Sequence, residues 1–117
     1  MGGFSNKPYS RSDRLSDRVH NLLANIFIKE FHIDLCDLLT VTKVEITSDL
    51  RMAKVFLSFM GPSVEPHVII DHLLRNRKQI RYLLGGKLDV KYVPDLRFYY
   101  DESIRNANKI NNILKKI

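Results

Sequence analysis

The chain of 117 residues lacks the features that mark several common classes of protein. It has a single cysteine, Cys36, so no disulfide can form within it, which fits a reducing cytosol. No apolar run is long enough to cross a bilayer, because the longest, Leu22 to Ile28, is interrupted by Asn25. A secretory signal is absent, and a myristoylation pattern fails because Asn6 stands where Ser or Thr is required. We therefore expect a soluble cytoplasmic protein without membrane attachment.

Residues that could carry catalysis or hold a metal are also sparse. Cys36 lies between Asp34 and Asp37, and acids raise the pKa of a thiol, so a buried or idle thiol is favoured over a nucleophile. Asp49 and Asp101 lie at turns beside strand ends, and turn or cap chemistry explains them better than a paired-carboxylate active site. The four histidines, which show no metal-ligand spacing with the cysteine, are His20, His32, His67 and His72. We expect no enzyme activity, no metal and no cofactor.

Positive charge is present in excess and is clustered. The formal net charge is +6. Six basic residues and one acid, Asp89, fall between Arg75 and Lys91, and four basic residues and no acid follow from Ser103 to the end. Such clustering is typical of a protein with a polyanionic partner. The alternative is a solvated basic face that serves only solubility.

The first half of the chain predicts a helix followed by a hairpin. Apolar residues recur at helical spacing in a segment that begins at Ser12 or Asp13, either of which can cap a helix, and ends near Phe31. Residues 40–48 are rich in Thr, Val and Ile, which favours a strand. Residues 52–60 alternate between apolar and polar. Two strands joined by so short a turn form a hairpin.

The second half predicts an interrupted helix and a long strand. Residues 67–84 have helical periodicity, but the polar block 75–79 breaks it, which indicates a kink or a junction between two helices. Gly85-Gly86 should end this element. Residues 88–100 then alternate as a half-buried strand does, with Pro94 at a sheet edge or a bulge.

Three strands with helices on one face make an α+β fold. We expect a flexible basic leader over residues 1–11, one domain over residues 12–101, and a basic C-terminal helix or tail over residues 102–117. The chain contains no internal repeat and no low-complexity tract.

The order helix-strand-strand-helix-(kink)-helix-strand is that of the type II KH domain, an RNA-binding module. Several motifs narrow the resemblance further, and they occur in the right order along the chain. They are Arg14 with Arg18-Val19, Thr42-x-Val44-x-Ile46-x-Ser48-Asp49-Leu50, Ala53-x-Val55, Ile80-Arg81-x-Leu83-Leu84-Gly85, and Val93-Pro94-x-Leu96-x-Phe98-x-x-Asp101-x-Ser103. With them, residues 9 to 112 closely resemble the bacterial ribosome-binding factor A family.

This resemblance implies a function. Family members are non-catalytic ribosome assembly factors that bind the free small (30S) ribosomal subunit through rRNA. They support its late maturation, including 16S rRNA processing, and leave before translation starts. The resemblance therefore implies the small subunit and 16S rRNA as partners, with ribosomal proteins or a maturation GTPase as further candidates, and we expect a monomer.

One departure from ordinary KH domains concerns the RNA-binding loop. Such domains clamp the nucleotide backbone with a Gly-x-x-Gly loop between two helices, and this chain has no Gly-x-x-Gly. The family tends to carry an Ala-x-Gly kink instead, and the matching residues here are Asn76-Arg77-Lys78. This substitution predicts a shallower kink, or one that the Asn76 side chain holds by bonding the local backbone.

Our hypothesis for the binding site follows from charge density. Arg75, Arg77, Lys78 and Arg81 would contact rRNA phosphates where a KH domain places its glycine loop. Second-tier candidates are Arg14, Arg18, Lys87, Lys91 and Arg97. Any of these could instead form a surface ion pair. Tyr92, Phe98 and Tyr100 could stack on bases, but they share a phase with Leu88 and Val90, so core packing is favoured for them. Tyr99, on the opposite face, is the remaining aromatic residue that could stack on a base.

Two other functions stay open at this point. A basic protein-interaction module could bind an acidic ribosomal protein or a maturation GTPase without touching RNA. A nuclease is disfavoured, because the acids and histidines do not converge in the sequence.

Overall fold

The structure, a computed structural model, describes residues 10–102. Its elements are α1 (Arg11–Lys29), β1 (Leu38–Ile46), β2 (Met52–Met60), α2 (Pro66–Arg75), α3 (Arg77–Gly85) and β3 (Asp95–Tyr100). This is the α+β order expected from the sequence. The predicted leader over 1–11 and the predicted helix or tail over 102–117 fall almost entirely outside the described residues, although Arg11 already belongs to α1.

Helix α1 begins earlier than predicted, because Ser10 caps it rather than Ser12 or Asp13. The Ser10 hydroxyl accepts a hydrogen bond from the Asp13 N–H (3.1 Å), and the Asp13 carboxylate accepts one from the Ser10 N–H (3.2 Å). This reciprocal arrangement is a capping box. The helix ends at Lys29, two residues before the predicted end at Phe31.

Side chains of α1 fasten the helix to β1. The Ser16 hydroxyl accepts a hydrogen bond from the Ile46 N–H (3.2 Å), and His20 Nε2 donates one to the Val41 carbonyl (2.8 Å). His20 therefore has a structural role in joining α1 to β1.

The sheet has the order β1-β2-β3 and is mixed. Strands β1 and β2 form the predicted antiparallel hairpin, with a bulge between Val41 and Lys43. The turn places Leu50 at φ 63°, a left-handed conformation that is uncommon outside glycine. Strand β3 returns after the helices and pairs with β2 in parallel, with Ala53 opposite Leu96.

The last strand is shorter than predicted. It begins at Asp95, and residues 88–94 form a loop. Pro94 has no N–H to donate to a neighbouring strand, and the ladder begins one residue later, where the Asp95 N–H donates to the Arg51 carbonyl (2.9 Å). Within the loop Leu88 is buried, but Tyr92 is 54% exposed, so its assignment to the core was wrong.

The break between α2 and α3 is at Asn76. Its side-chain Nδ2 donates to the His72 carbonyl (2.8 Å), one turn earlier in α2. This is the backbone contact that the sequence suggested for a chain without glycine at this position. The backbone there (φ −103°, ψ 12°) departs from helical values, which separates the two helices.

A single apolar core lies between the sheet and the helices. Alternate residues of the strands, including Val55, Leu57 and Phe98, point into it and meet the buried stripes of the helices, such as Ile69 and Leu73 of α2. The other face of the sheet carries exposed or half-exposed side chains and is called here the open face. Its largest feature is a stack of Phe56 on Tyr99, with ring centroids 5.4 Å apart. The helices therefore cover one face, as predicted.

Candidate nucleic-acid interface

Three cations flank the α2–α3 break and have no partner within residues 10–102. Arg75 is the last residue of α2, and Arg77 and Lys78 open α3. Arg75 and Lys78 are exposed and Arg77 is half-buried. None of the three forms an ion pair or hydrogen bond with another residue between 10 and 102. They are called here the junction cations, and an anion can reach them without displacing an internal contact.

Arg81, the fourth first-tier candidate, is used differently. Its Nε (3.1 Å) and Nη2 (2.5 Å) both donate to the Val93 carbonyl, and its guanidinium lies 5.4 Å from the centre of the Tyr92 ring. Arg81 therefore holds the loop over residues 86–94 against α3. The guanidinium keeps its charge and further N–H groups while it does so.

An open cavity of about 950 Å³ lies between α3 and this loop and is called here the α3 groove. Four basic residues line it, against one acid, Glu30. The basic residues are Lys78, Arg81, Lys87 and Lys91. Glu30 is already paired with Lys87, whose Nζ lies 2.6 Å from the carboxylate. The groove thus retains an excess of positive charge.

The remaining second-tier candidates do not form one surface. Arg18 of α1 donates a long hydrogen bond to the Lys87 carbonyl (3.4 Å), so it lies beside the loop. Arg14, one turn earlier, is exposed and has no partner among the described residues. Arg97 is on the open face, where its Nε lies 3.9 Å from the Asp95 carboxylate. The fold therefore brings the loop cations together with α3 and leaves Arg97 apart.

Two exposed tyrosines line the α3 groove, of which the sequence analysis did not consider Tyr82 and assigned Tyr92 to the core. Tyr82 is 80% exposed and Tyr92 is 54% exposed, and both line the groove. A signal for Tyr82 was available, because Ile80 and Leu84 form the buried stripe of α3 and place Tyr82 off that stripe. Tyr82 also lies four residues after Lys78, so the two share a helix face.

Burial and local hydrogen bonds account for the environments of Cys36, Asp49 and Asp101. The pKa of Cys36 is raised, first by burial and then by Asp37, so burial outweighs the acids that the sequence suggested as the cause. The pKa of Asp49 is lowered, mainly because its carboxylate accepts hydrogen bonds from the Thr47 hydroxyl (2.6 Å) and the Arg51 N–H (3.1 Å). Asp101 accepts a hydrogen bond from Thr42 (2.6 Å).

Neither a metal-binding cluster nor a membrane-spanning helix occurs in the described part of the chain. No group of three or more His, Cys, Asp or Glu side chains within residues 10–102 is arranged to hold a metal ion. None of the helices described between these residues has the length and apolar character needed to cross a membrane.

The element order, the mixed three-stranded sheet and the helix break without a Gly-x-x-Gly loop define an α+β domain of the type II KH-like class. A family model described as ribosome-binding factor A matches residues 11–114. The ribosome-binding factor A of Syntrophobacter fumaroxidans is 33% identical over 111 residues, which cover 93% of this chain and 95% of that protein. The chain belongs to the ribosome-binding factor A family.

Solved structures agree on the fold. The crystal structure of ribosome-binding factor A from Thermus thermophilus is similar with a TM-score of 0.67 at 20% identity, over 78% of this chain and 97% of that one. Coordinates of the Thermus thermophilus factor, a homology model fitted into the cryo-EM map of a 30S complex with that factor, give a TM-score of 0.66 at 19% identity. They cover 76% of this chain and 93% of that one.

Proposed function

We propose that this protein binds the free small ribosomal subunit through 16S rRNA and supports its late maturation and rRNA processing without catalysing a reaction. Family membership supports this proposal, as does the fitting of the Thermus thermophilus relative into a map of a 30S complex. It would act in the cytoplasm, where bacterial ribosomes are assembled. The observation in this chain that supports the RNA contact is the set of junction cations, which lie beside a basic groove and have no partner among residues 10–102.

The junction cations suit the phosphate backbone of folded RNA. Arginine donates two parallel hydrogen bonds to one phosphate, which gives a strong and oriented contact. Within the described part of the chain Arg75 and Arg77 have no ion pair to lose on binding, so the main cost of the contact is the ordering of their side chains. Contacts of this kind give affinity and salt sensitivity but little choice of sequence. The protein would therefore recognise the shape of its rRNA site.

The other cations would have two roles. Lys91 and Arg14, which have no partner among the described residues, would add contacts to the same RNA. Arg81, Lys87 and Arg18 would mainly hold the 86–94 loop in place and so shape the surface. Arg97 would take part only if the RNA also reached the open face.

Charge reversal at the junction tests the RNA contact. The double variant R77E/K78E should lose on the order of a hundredfold in affinity for small subunits, since two charge-assisted hydrogen bonds are worth about 3 kcal/mol together. The measurement is sedimentation of the protein with isolated small subunits, large subunits and complete ribosomes at two salt concentrations. The matched control is K43E/K54E, which reverses two charges on the open face.

The outcomes separate the proposed function from its alternatives. Wild-type protein should sediment with free small subunits alone, and RNase treatment of the subunits should abolish binding. Survival of binding after RNase digestion would instead favour a protein-interaction module. Equal binding to all three particles, or an R77E/K78E variant as tight as wild type, would contradict the proposal. In a bacterium that lacks its own family member, the wild-type chain should restore 16S rRNA processing and the double variant should not.

A further inference from the structure

We propose that the α3 groove binds an unpaired RNA segment and that one of its bases stacks on Tyr82. This inference rests on the proposed function and makes it more specific, because the junction cations alone would bind any folded RNA surface. It assigns the groove to a single strand, whose bases present their ring faces.

The first observation is the exposure of Tyr82. At 80% it is the most exposed large hydrophobic side chain among residues 10–102, and it makes no ring contact or hydrogen bond there. Its ring does not contribute to the core, so stability does not account for an aromatic residue at this position. So exposed a tyrosine ring is a suitable platform for a nucleobase, and such stacking is worth about 1–3 kcal/mol.

The second observation is the opposite wall of the groove. Tyr92 projects from the loop and lies beside the guanidinium of Arg81, 5.4 Å from its ring centre. Because Arg81 is also bonded to the Val93 carbonyl, this ring and cation are held in a defined place on the groove wall. Aromatic rings and arginine planes are the two kinds of surface on which proteins stack splayed RNA bases. The groove therefore has stacking surfaces on both the helix and the loop.

The third observation is how charge is placed around these rings. Lys78 lies on the same helix face as Tyr82, and Lys91 precedes Tyr92 in the loop, so each ring has a lysine close to it in the chain. Neither lysine has an internal partner in the described part of the chain. The single acid, Glu30, is neutralised by Lys87. Alternating rings and cations fit a nucleotide chain, in which bases and phosphates alternate.

The same features disfavour a double helix in the groove. Within a duplex each base is covered by its neighbours, so a tyrosine ring can stack only at an end or on an unpaired base. A cavity of about 950 Å³ is at the upper end of the range for small-molecule pockets, roughly 300–1,000 Å³, and so suits a short stretch of single strand. Loops, bulges and single-stranded ends of rRNA offer such segments.

The test uses short oligonucleotides and three tyrosine variants. A fluorescently labelled single-stranded hexaadenylate and a blunt-ended RNA hairpin are titrated with the full chain, and the dissociation constant is read from anisotropy. Tyr82→Ala should weaken hexaadenylate binding by about tenfold, and Tyr82→Phe should keep it, since the ring is retained. Tyr99→Ala is the control for the other tyrosine that the sequence suggested as a base-stacking residue. Its ring is already stacked on Phe56 on the open face, with centroids 5.4 Å apart, so its loss should leave hexaadenylate binding unchanged.

A structural readout accompanies the affinities. In NMR spectra the ring resonances of Tyr82 should shift on addition of hexaadenylate, and those of Tyr99 should not. Because Tyr82 is so exposed, the alanine variant should keep the wild-type thermal midpoint. Equal affinity of wild type and Tyr82→Ala for hexaadenylate would overturn the proposal, as would equal affinity of the wild type for hairpin and single strand. If polyglutamate binds the wild type as tightly as hexaadenylate does, and binds Tyr82→Ala equally tightly, the groove is instead a general site for acidic ligands.

This experiment can fail separately from the proposed function. Loss of small-subunit binding in R77E/K78E together with unchanged hexaadenylate binding in Tyr82→Ala would leave the ribosomal function standing and remove the groove from it. If the protein binds hexaadenylate through Tyr82 but does not bind small subunits, the groove proposal stands and the ribosomal function does not.

Discussion

Arg75 and Arg81 belong to one basic segment, yet their side chains are used in different ways. Arg75 is exposed and without a partner among the described residues, whereas Arg81 donates twice to the Val93 carbonyl. The sequence could rank both only by local charge density, because the position of the Val93 carbonyl depends on the path of a loop twelve residues further on. Charge clusters can be found in a sequence, but the partner of each cation depends on tertiary structure.

Replacing Arg81 with lysine should separate its charge from its geometry. Lysine keeps the positive charge but cannot place two donors on one carbonyl, so the free energy of unfolding should fall by about 1.5 kcal/mol. Urea denaturation measures this change. Amide hydrogen exchange should also become faster within residues 86–94. Lys78→Ala, one turn earlier and without a partner in the described structure, should change neither quantity. Equal effects of the two substitutions would contradict the role given to Arg81.

At the scale of elements, the sequence predicted the hairpin and the helix break well and the last strand poorly. The alternation that continues through Val90 and Tyr92 is real, but these side chains face solvent, while only Leu88 of that stretch is buried. An alternating pattern of apolar residues identifies the buried face of a strand only where a neighbouring strand is present to pair with it. Residues 88–94 have no such neighbour in the described part of the chain, because β2 begins at Met52, which is already the partner of Asp95. The Asp95 N–H donates to the Arg51 carbonyl, which lies in a turn that no local pattern connects to it.

The break between α2 and α3 depends on one side-chain amide. Asn76→Ala removes the hydrogen bond to the His72 carbonyl and should lower the free energy of unfolding by about 1 kcal/mol. Gln79→Ala, at an exposed site two residues into α3 from Arg77, is the control and should be close to neutral. Both are measured by chemical denaturation. An Asn76→Ala variant as stable as wild type would show that packing alone sets the angle between the helices.

For the whole molecule, the α3 groove exists only because distant segments meet. Glu30 at the end of α1 pairs with Lys87, and Arg18 reaches the carbonyl of the same residue, so α1 supports a loop that follows α3. The resemblance to a known family gave the fold from sequence. The resemblance did not predict the groove, because nothing in the sequence around Lys87 indicates that Glu30 lies next to it.

A single core predicts a single unfolding transition. Leu73 of α2 is completely buried, and truncation to alanine should lower the free energy of unfolding by about 2–5 kcal/mol. That is a large part of the about 5–15 kcal/mol typical of small domains. Val68→Ala, on the exposed side of the same helix, should cost far less. Far-UV circular dichroism and tyrosine fluorescence should report the same midpoint in urea for each variant, and two separate midpoints would argue against one core.

The parallel pairing of β2 with β3 has a consequence for the nascent chain. The β1–β2 hairpin can form once residue 60 has emerged from the synthesising ribosome, but one edge of β2 has no partner until residue 100 follows. Roughly 40 further residues take several seconds at about 5–20 residues per second. During that time the exposed backbone groups of β2 are open to pairing with other chains. The order of synthesis therefore makes arrival of the last strand the event that covers this edge of β2.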